Sequence, residues 1–193
     1  MRTRILAVLL VVCACAHAKT TLLEQVPLEW KPTSSLQLGT TQMSQAQIQF
    51  ETFQDSRDNK TAIGENLEDE KPRPVTSPDD VGAFVSTHMR TLFERAGLKT
   101  VDANGSVTIK GEVKAFYVRE TSTYKAEVAV HLTVIDASGK TLWNGLASGD
   151  ATRFGRSYTR ENYYEVLSDA LVNTVSSMLQ SAQFQNALSG HSP

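Results

Sequence analysis

The chain has 193 residues, of which 40% are hydrophobic, 21% charged and 7% aromatic, with a formal net charge of -2. This is the composition of one ordinary globular domain, too polar for a multi-span membrane protein. A charge so near zero gives no electrostatic argument for a nucleic-acid partner.

Residues 1–18 read as an export signal. Arg2 and Arg4 precede an unbroken apolar run over residues 5–12, the charged and hydrophobic regions of a secretory leader. A spanning helix needs about 20 apolar residues, and here the run is closed by His17 and Lys19. Two cleavage readings stand. Ala16-His17-Ala18 is a small-x-small site that releases a soluble periplasmic protein beginning at Lys19. Val12-Cys13-Ala14-Cys15 resembles a bacterial lipobox, in which cleavage before Cys15 leaves that cysteine N-terminal and diacylated. The lipoprotein-type cleavage is the favoured reading, although Cys13 departs from the usual small or β-branched residue at that position.

The chain has only two cysteines, 13 and 15, so the mature body carries no disulfide framework and rests on its apolar core. Removing Arg2 and Arg4 makes the charge balance more acidic. Membrane attachment then depends on acyl chains rather than on anionic headgroups.

Residues 19–45 are polar, rich in Ser, Thr and Gln, and punctuated by Pro27 and Pro32, the pattern of a flexible tether. A single α+β domain is expected over residues 46–188, with residues 189–193 as a tail. Ile48, Phe50 and Phe53 mark a first strand over 47–54, followed by a long polar loop holding Glu68-Asp69-Glu70 and Pro72, Pro74 and Pro78. Ser77-Pro78-Asp79-Asp80 predicts a helix start near Pro78. Val81, Phe84, Val85, His88, Leu92, Phe93 and Ala96 then form one apolar stripe, closed by Gly97.

Residues 106–119 alternate Val107, Ile109, Val113, Ala115 and Tyr117 against Thr108, Lys110, Glu112 and Lys114, a half-buried strand. Residues 124–136 alternate likewise, and Ala137-Ser138-Gly139 turns the chain into a hairpin with residues 140–152. A long helix follows over residues 160–183, its stripe carried by Tyr163, Leu167, Leu171, Thr174, Met178 and Leu179. The order β-α-β-β-β-α predicts a four-stranded, mainly antiparallel sheet with two helices on one face.

The stretch from Asp79 to Leu188 resembles the YajG-like family of bacterial envelope lipoproteins. The likeness is carried by Glu94-Arg95-Ala96-Gly97, Val107-Thr108-Ile109, Tyr124-Lys125-Ala126, the turn Asp136-Ala137-Ser138-Gly139-Lys140, the Trp143 strand and Asp169-Ala170-Leu171. Phe53-Gln54-Asp55-Ser56-Arg57 and Ile63-Gly64 are similar to a strand end found in related envelope lipoproteins. The resemblance implies a small lipid-anchored periplasmic domain without known enzymatic activity. Ala16, following Cys15, carries no inner-membrane retention signal by the same resemblance, which implies the periplasmic face of the outer membrane.

No catalytic, cofactor or metal motif is present in the sequence. His88, His131 and His191 have no metal-ligand spacing, and there is no Gly-x-Ser-x-Gly elbow. Asp55 and Arg57, two apart at a strand end, fall on one side and read as a structural salt bridge. Arg153, Arg156 and Arg160, beside Phe154 and Tyr158 at a helix start, are the candidate contacts for an anion or partner, although a solvated loop accounts for them as well. Trp143, with Phe116 and Ile135, is placed by one register on the sheet face opposite the helices, as an apolar partner patch. Three functions are weighed. The first is a non-enzymatic binding or scaffold module for another envelope component, joined to the bacterial membrane by its acyl chains. The second is a lipid- or amphiphile-binding accessory of an envelope transport system, which requires an apolar groove between helices and sheet. An enzyme is the third, and no motif supports it.

Overall fold

A computed structural model describes residues 22–38 and 45–189. The leader, including Cys15, and the last four residues lie outside the described residues. Along the chain run β1 (Gln47–Phe50), β2 (Gln54–Asp55), β3 (Ala62–Asn66), β4 (Arg73–Thr76), α1 (Val81–Arg95), β5 (Lys99–Val101), β6 (Val107–Glu120), β7 (Thr123–Asp136), β8 (Thr141–Phe154), α2 (Arg160–Gln180) and α3 (Ala182–Leu188).

The expected α+β class holds, but the sheet has eight strands and mixed direction rather than four mainly antiparallel ones. Its frame is the long antiparallel meander β6-β7-β8. The other edge of β6 is shared in turn by β1, β2 and β3, each parallel to it. Outside them lie β5, parallel to β1, and β4, antiparallel to β3. The single strand expected over 47–54 is thus two pieces, and the polar loop expected after it contains a hairpin. That hairpin buries only Ile63 and Val75 as large apolar side chains, and Pro74 sits on an edge strand where a missing N–H costs little.

Helix α1 starts later than Pro78. Asp80 is the N-cap, with extended backbone, and its carboxylate accepts from the Ala83 N–H at 3.0 Å. The long C-terminal helix ends at Gln180, and Ser181 caps the separate α3. Both main helices cover one sheet face, filling the interlayer space with Phe93, Phe116, Tyr124, Leu132 and Tyr163. At Gly149, α2 lies so close that a Cβ would stand 2.7 Å from the Ala170 carbonyl oxygen.

Two bulges decide which side chains reach that core. The irregularity at Lys114 reverses the parity of β6, so Val107, Ile109 and Val113 face the helices in its first half and Phe116, Val118 and Glu120 in its second. Ala115 and Tyr117 therefore lie on the open face, and Phe116 does not. A second irregularity in the β7-β8 ladder lets Leu142 and Trp143 follow each other on the helix side, where the Trp143 ring meets Phe184 edge-on at 5.2 Å. Trp143 is a packing residue and not part of an open apolar patch.

Residues 22–38 form a strap over the helices, in place of the expected tether. Leu23 and Val26 are buried, Val26 N–H donates to the Thr76 carbonyl and Thr76 N–H to that of Leu23. The Trp30 ring stacks on His88 at 4.4 Å, and burial holds that imidazole below its ordinary value, with Arg95 adding to the effect. Further along, helix side chains receive the strap's backbone: Ser168 accepts from Lys31 N–H, Asp169 from Thr33 and Ser34, and Ser176 from Gln37. The Thr33 and Ser34 hydroxyls also donate to Asp169, at 2.5 and 2.8 Å. Composition hides this strap because its grip is by backbone, not by an apolar period. Asp169→Ala removes four hydrogen bonds at once. We expect a loss of about 2 kcal/mol and at least about tenfold faster amide exchange over residues 31–37, read by hydrogen exchange with mass spectrometry.

Candidate functional site

The sheet face away from the helices is the broad polar surface of the molecule. Strand register builds it in rows. Arg119, Lys125 and Thr152 stand side by side, then Tyr117, Glu127 and Asp150, then Ala115, Ala129 and Ser148. The third row is small, and the first two are long. Between the first two rows and the loop after β2 lies an open depression of about 600 Å³, bordered by Arg57, Lys114, Tyr117, Arg119, Lys125 and Asp150. Glu127 and Asp150 are directly opposite across two strands, a like-charge pairing that costs stability.

One wall of the depression is pinned by Asp55 and Arg57. Their side chains are 10% and 7% exposed, and the guanidinium donates Nε and one Nη2 hydrogen to the carboxylate at 2.9 and 2.8 Å. Its remaining donors reach the carbonyls of Lys60, Ala62 and Phe116. With every donor used within the fold, the pair is structural, as its spacing predicts. Burial pushes the Asp55 carboxyl up, but hydrogen bonds and charge from Arg57 outweigh it and leave the pKa below its ordinary 3.8. The sign follows. A carboxyl lowered by folding contributes stability above pH 3.8 that is lost as pH falls through the lowered value. Asp169 behaves alike: burial raises it, and the Thr33 and Ser34 hydrogen bonds more than reverse this. Acid titration followed by circular dichroism is therefore expected to show unfolding below about pH 4, with a weaker pH dependence in Asp55→Asn.

The three candidate arginines sit at one end of the domain but do not converge. Arg153 pairs with Glu165, Arg156 with Glu68 at 3.3 Å, and Arg160 with Glu161 at 3.1 Å. Each is matched by its own carboxylate. Sequence reasoning missed the polar knot beneath them. Glu120, fully buried at the end of β6, accepts from Tyr163 Oη at 2.7 Å and from Tyr158 N–H at 2.9 Å. Burial, reinforced by Glu120, drives the Tyr163 hydroxyl far above its ordinary value. Tyr158, at φ 42°, in turn donates its hydroxyl to Pro74 and accepts from Leu23 N–H, so the knot joins sheet, helix start and strap. Its only sequence signal was one acidic residue in phase with the apolar positions of the second half of β6.

Among the described residues no group of three His, Cys, Asp or Glu side chains is placed to hold a metal. No described helix is long and apolar enough to cross a membrane. His88 is stacked in the strap, and His131 lies on the open face opposite Glu112.

No protein-family model and no curated protein sequence matches the chain. Its fold is that of protein XCC0632 from Xanthomonas campestris, a structure of family DUF330, with TM-score 0.57 at 11% identity over 82% of this chain and 94% of that one. The PelC dodecamer from Paraburkholderia phytofirmans is similar at TM-score 0.43 and 13% identity, over 72% and 91% of the two chains. Lipoprotein GNA1162 from Neisseria meningitidis matches at TM-score 0.34 and 14% identity, over 58% and 88%. At these identities the likeness is one of fold.

Proposed function

We propose that the protein is a non-enzymatic, lipid-anchored envelope lipoprotein akin to the YajG-like family, held at the periplasmic face of the outer membrane through diacylated Cys15. There it acts as a binding or scaffold module for another envelope protein. The observation that carries this reading is the open sheet face. The helices and the strap all lie on the other side, and the free side keeps a depression whose floor sets Glu127 against Asp150. A cationic side chain of a partner relieves that repulsion, a cost the isolated domain retains. The amphiphile-binding alternative needs an apolar groove between helices and sheet, and that space holds Phe93, Phe116 and Tyr163.

Two measurements test the reading. Intact mass from the membrane fraction is expected to show a diacylated N-terminus at Cys15 that Cys15→Ser abolishes. A chain beginning at Lys19 without acyl mass makes the protein soluble and periplasmic, and refutes the anchor. In crosslinking on intact envelopes, Glu127→Gln with Asp150→Asn is expected to lose the partner while the isolated domain becomes slightly more stable. Unchanged crosslinks refute the open face as the docking surface.

A further inference from the structure

Of the five large apolar side chains that stand out into solvent among the described residues, three gather at one end of the domain: Leu22 at 51% exposure, Leu67 at 37% and Phe154 at 88%. Strand register fixes the arrangement. Asn66, Glu120, Tyr124 and Arg153 are neighbours across β3, β6, β7 and β8, and Leu67 and Phe154 each lie one residue beyond that row, at its two ends. At about 4.8 Å per strand the two are roughly 15 Å apart along one rim. Leu22 joins them from the other layer, because Leu23 N–H donates to the Tyr158 hydroxyl, which itself reaches Pro74 on β4. Arg119 and Arg156, both 71% exposed on the same rim, are each paired there with a carboxylate, Glu65 and Glu68, so the rim presents ion pairs beside its apolar side chains.

This end is also where the chain enters the described structure. Six residues separate Cys15 from Leu22, and fully extended they span at most about 25 Å. The strap holds residues 22–38 against the helices, so no further slack comes from them. We infer that this rim is a membrane-docking end, at which Phe154, Leu67 and Leu22 enter the headgroup region of the bilayer that carries the acylated Cys15. The inference rests on the lipid-anchor reading and goes beyond it, since an anchor alone sets no orientation. An exposed aromatic ring suits the lipid–water boundary, and a short anchor beside an apolar rim presents one end of a domain to the surface. The open sheet face then stands roughly along the membrane normal, free for a partner.

The test uses the full chain, purified from membranes and reconstituted in vesicles of phosphatidylethanolamine and phosphatidylglycerol. Nitroxide labels are placed by Phe154→Cys, Leu67→Cys and, in the turn at the far end of the β7-β8 hairpin, Ala137→Cys. All three positions are exposed, so the fold is not put at risk. Labels at 154 and 67 are expected to be several-fold less accessible to a water-soluble nickel complex than the label at 137, and more accessible to oxygen. Equal water accessibility at all three overturns the docking end, whether or not acyl mass is present on Cys15. Shielding at 154 and 67 without acyl mass supports the docking end and refutes the anchor, which separates the two claims.

Discussion

Glu120→Ala is expected to destabilise the domain by about 3 kcal/mol, measured by urea unfolding. The substitution leaves the fully buried Tyr163 hydroxyl and the half-buried Tyr158 N–H without the acceptor they share. Loss of the side chain also opens a cavity at the junction of β6, α2 and the strap. Glu120→Gln keeps one carbonyl oxygen and most of the volume, so a cost of about 1 kcal/mol is expected. Equal costs for the two variants would mean that the carboxylate with its two acceptor oxygens matters and the volume does not. A secondary readout separates the knot from generic packing. Because Tyr158 hands the effect on to Leu23, amide exchange at the start of the strap is expected to rise in Glu120→Ala well before global unfolding.

Gly149→Ala is expected to cost about 3 kcal/mol and to move α2. Its new Cβ meets main chain on the helix: the Thr174 nitrogen, the Ala170 oxygen at 2.7 Å and the Asn173 carbonyl carbon at 2.8 Å. Backbone cannot swing aside as a side chain can. Gly145→Ala, four residues earlier on the same strand and face, is the control, since its Cβ meets only the Trp143 ring, at 2.7 Å. That ring has room to shift, and a cost of at most about 1 kcal/mol is expected. Thermal melts of the pair measure the difference directly; equal melting temperatures would refute the close approach of α2 to β8.

The parts of the fold legible in the sequence are those where one period runs unbroken. The alternation Ala126, Val128, Val130, Leu132 and Val134 fixes the face of β7 without error, and the stripe of α2 is equally plain. Strand β6 is legible only to Val113, because a single extra residue at Lys114 reverses every later side chain, and Ala115 and Tyr117 pass to the other face. The same physics misplaces Trp143. Parallel pairing of β1 with β6 was implicit in the strand-helix-strand order, since a helical crossover returns the chain in the same direction. The hairpin β3-β4 had no such signal, for two buried side chains in a polar stretch make no pattern. At the candidate site the chemistry of Arg153, Arg156 and Arg160 was readable, but two of their carboxylate partners were not. Glu165 is twelve residues from its arginine, and Glu68 lies nearly ninety residues from Arg156. The Asp55-Arg57 pair was readable because both partners lie within one turn of chain.

The strap has a bearing on when the protein can fold. Its partners Ser168, Asp169 and Ser176 are 135 to 139 residues further along the chain. Strands β1 to β3 likewise wait for β6, so the N-terminal half has almost nothing nearby to pair with. Such long closures are costly before their partners arrive. If the chain is exported N-terminus first, as the proposed function requires, it therefore has no stable early fragment to jam the channel. On that route folding becomes favourable only once α2 has emerged, when the last long helix receives the strap from near the start of the chain.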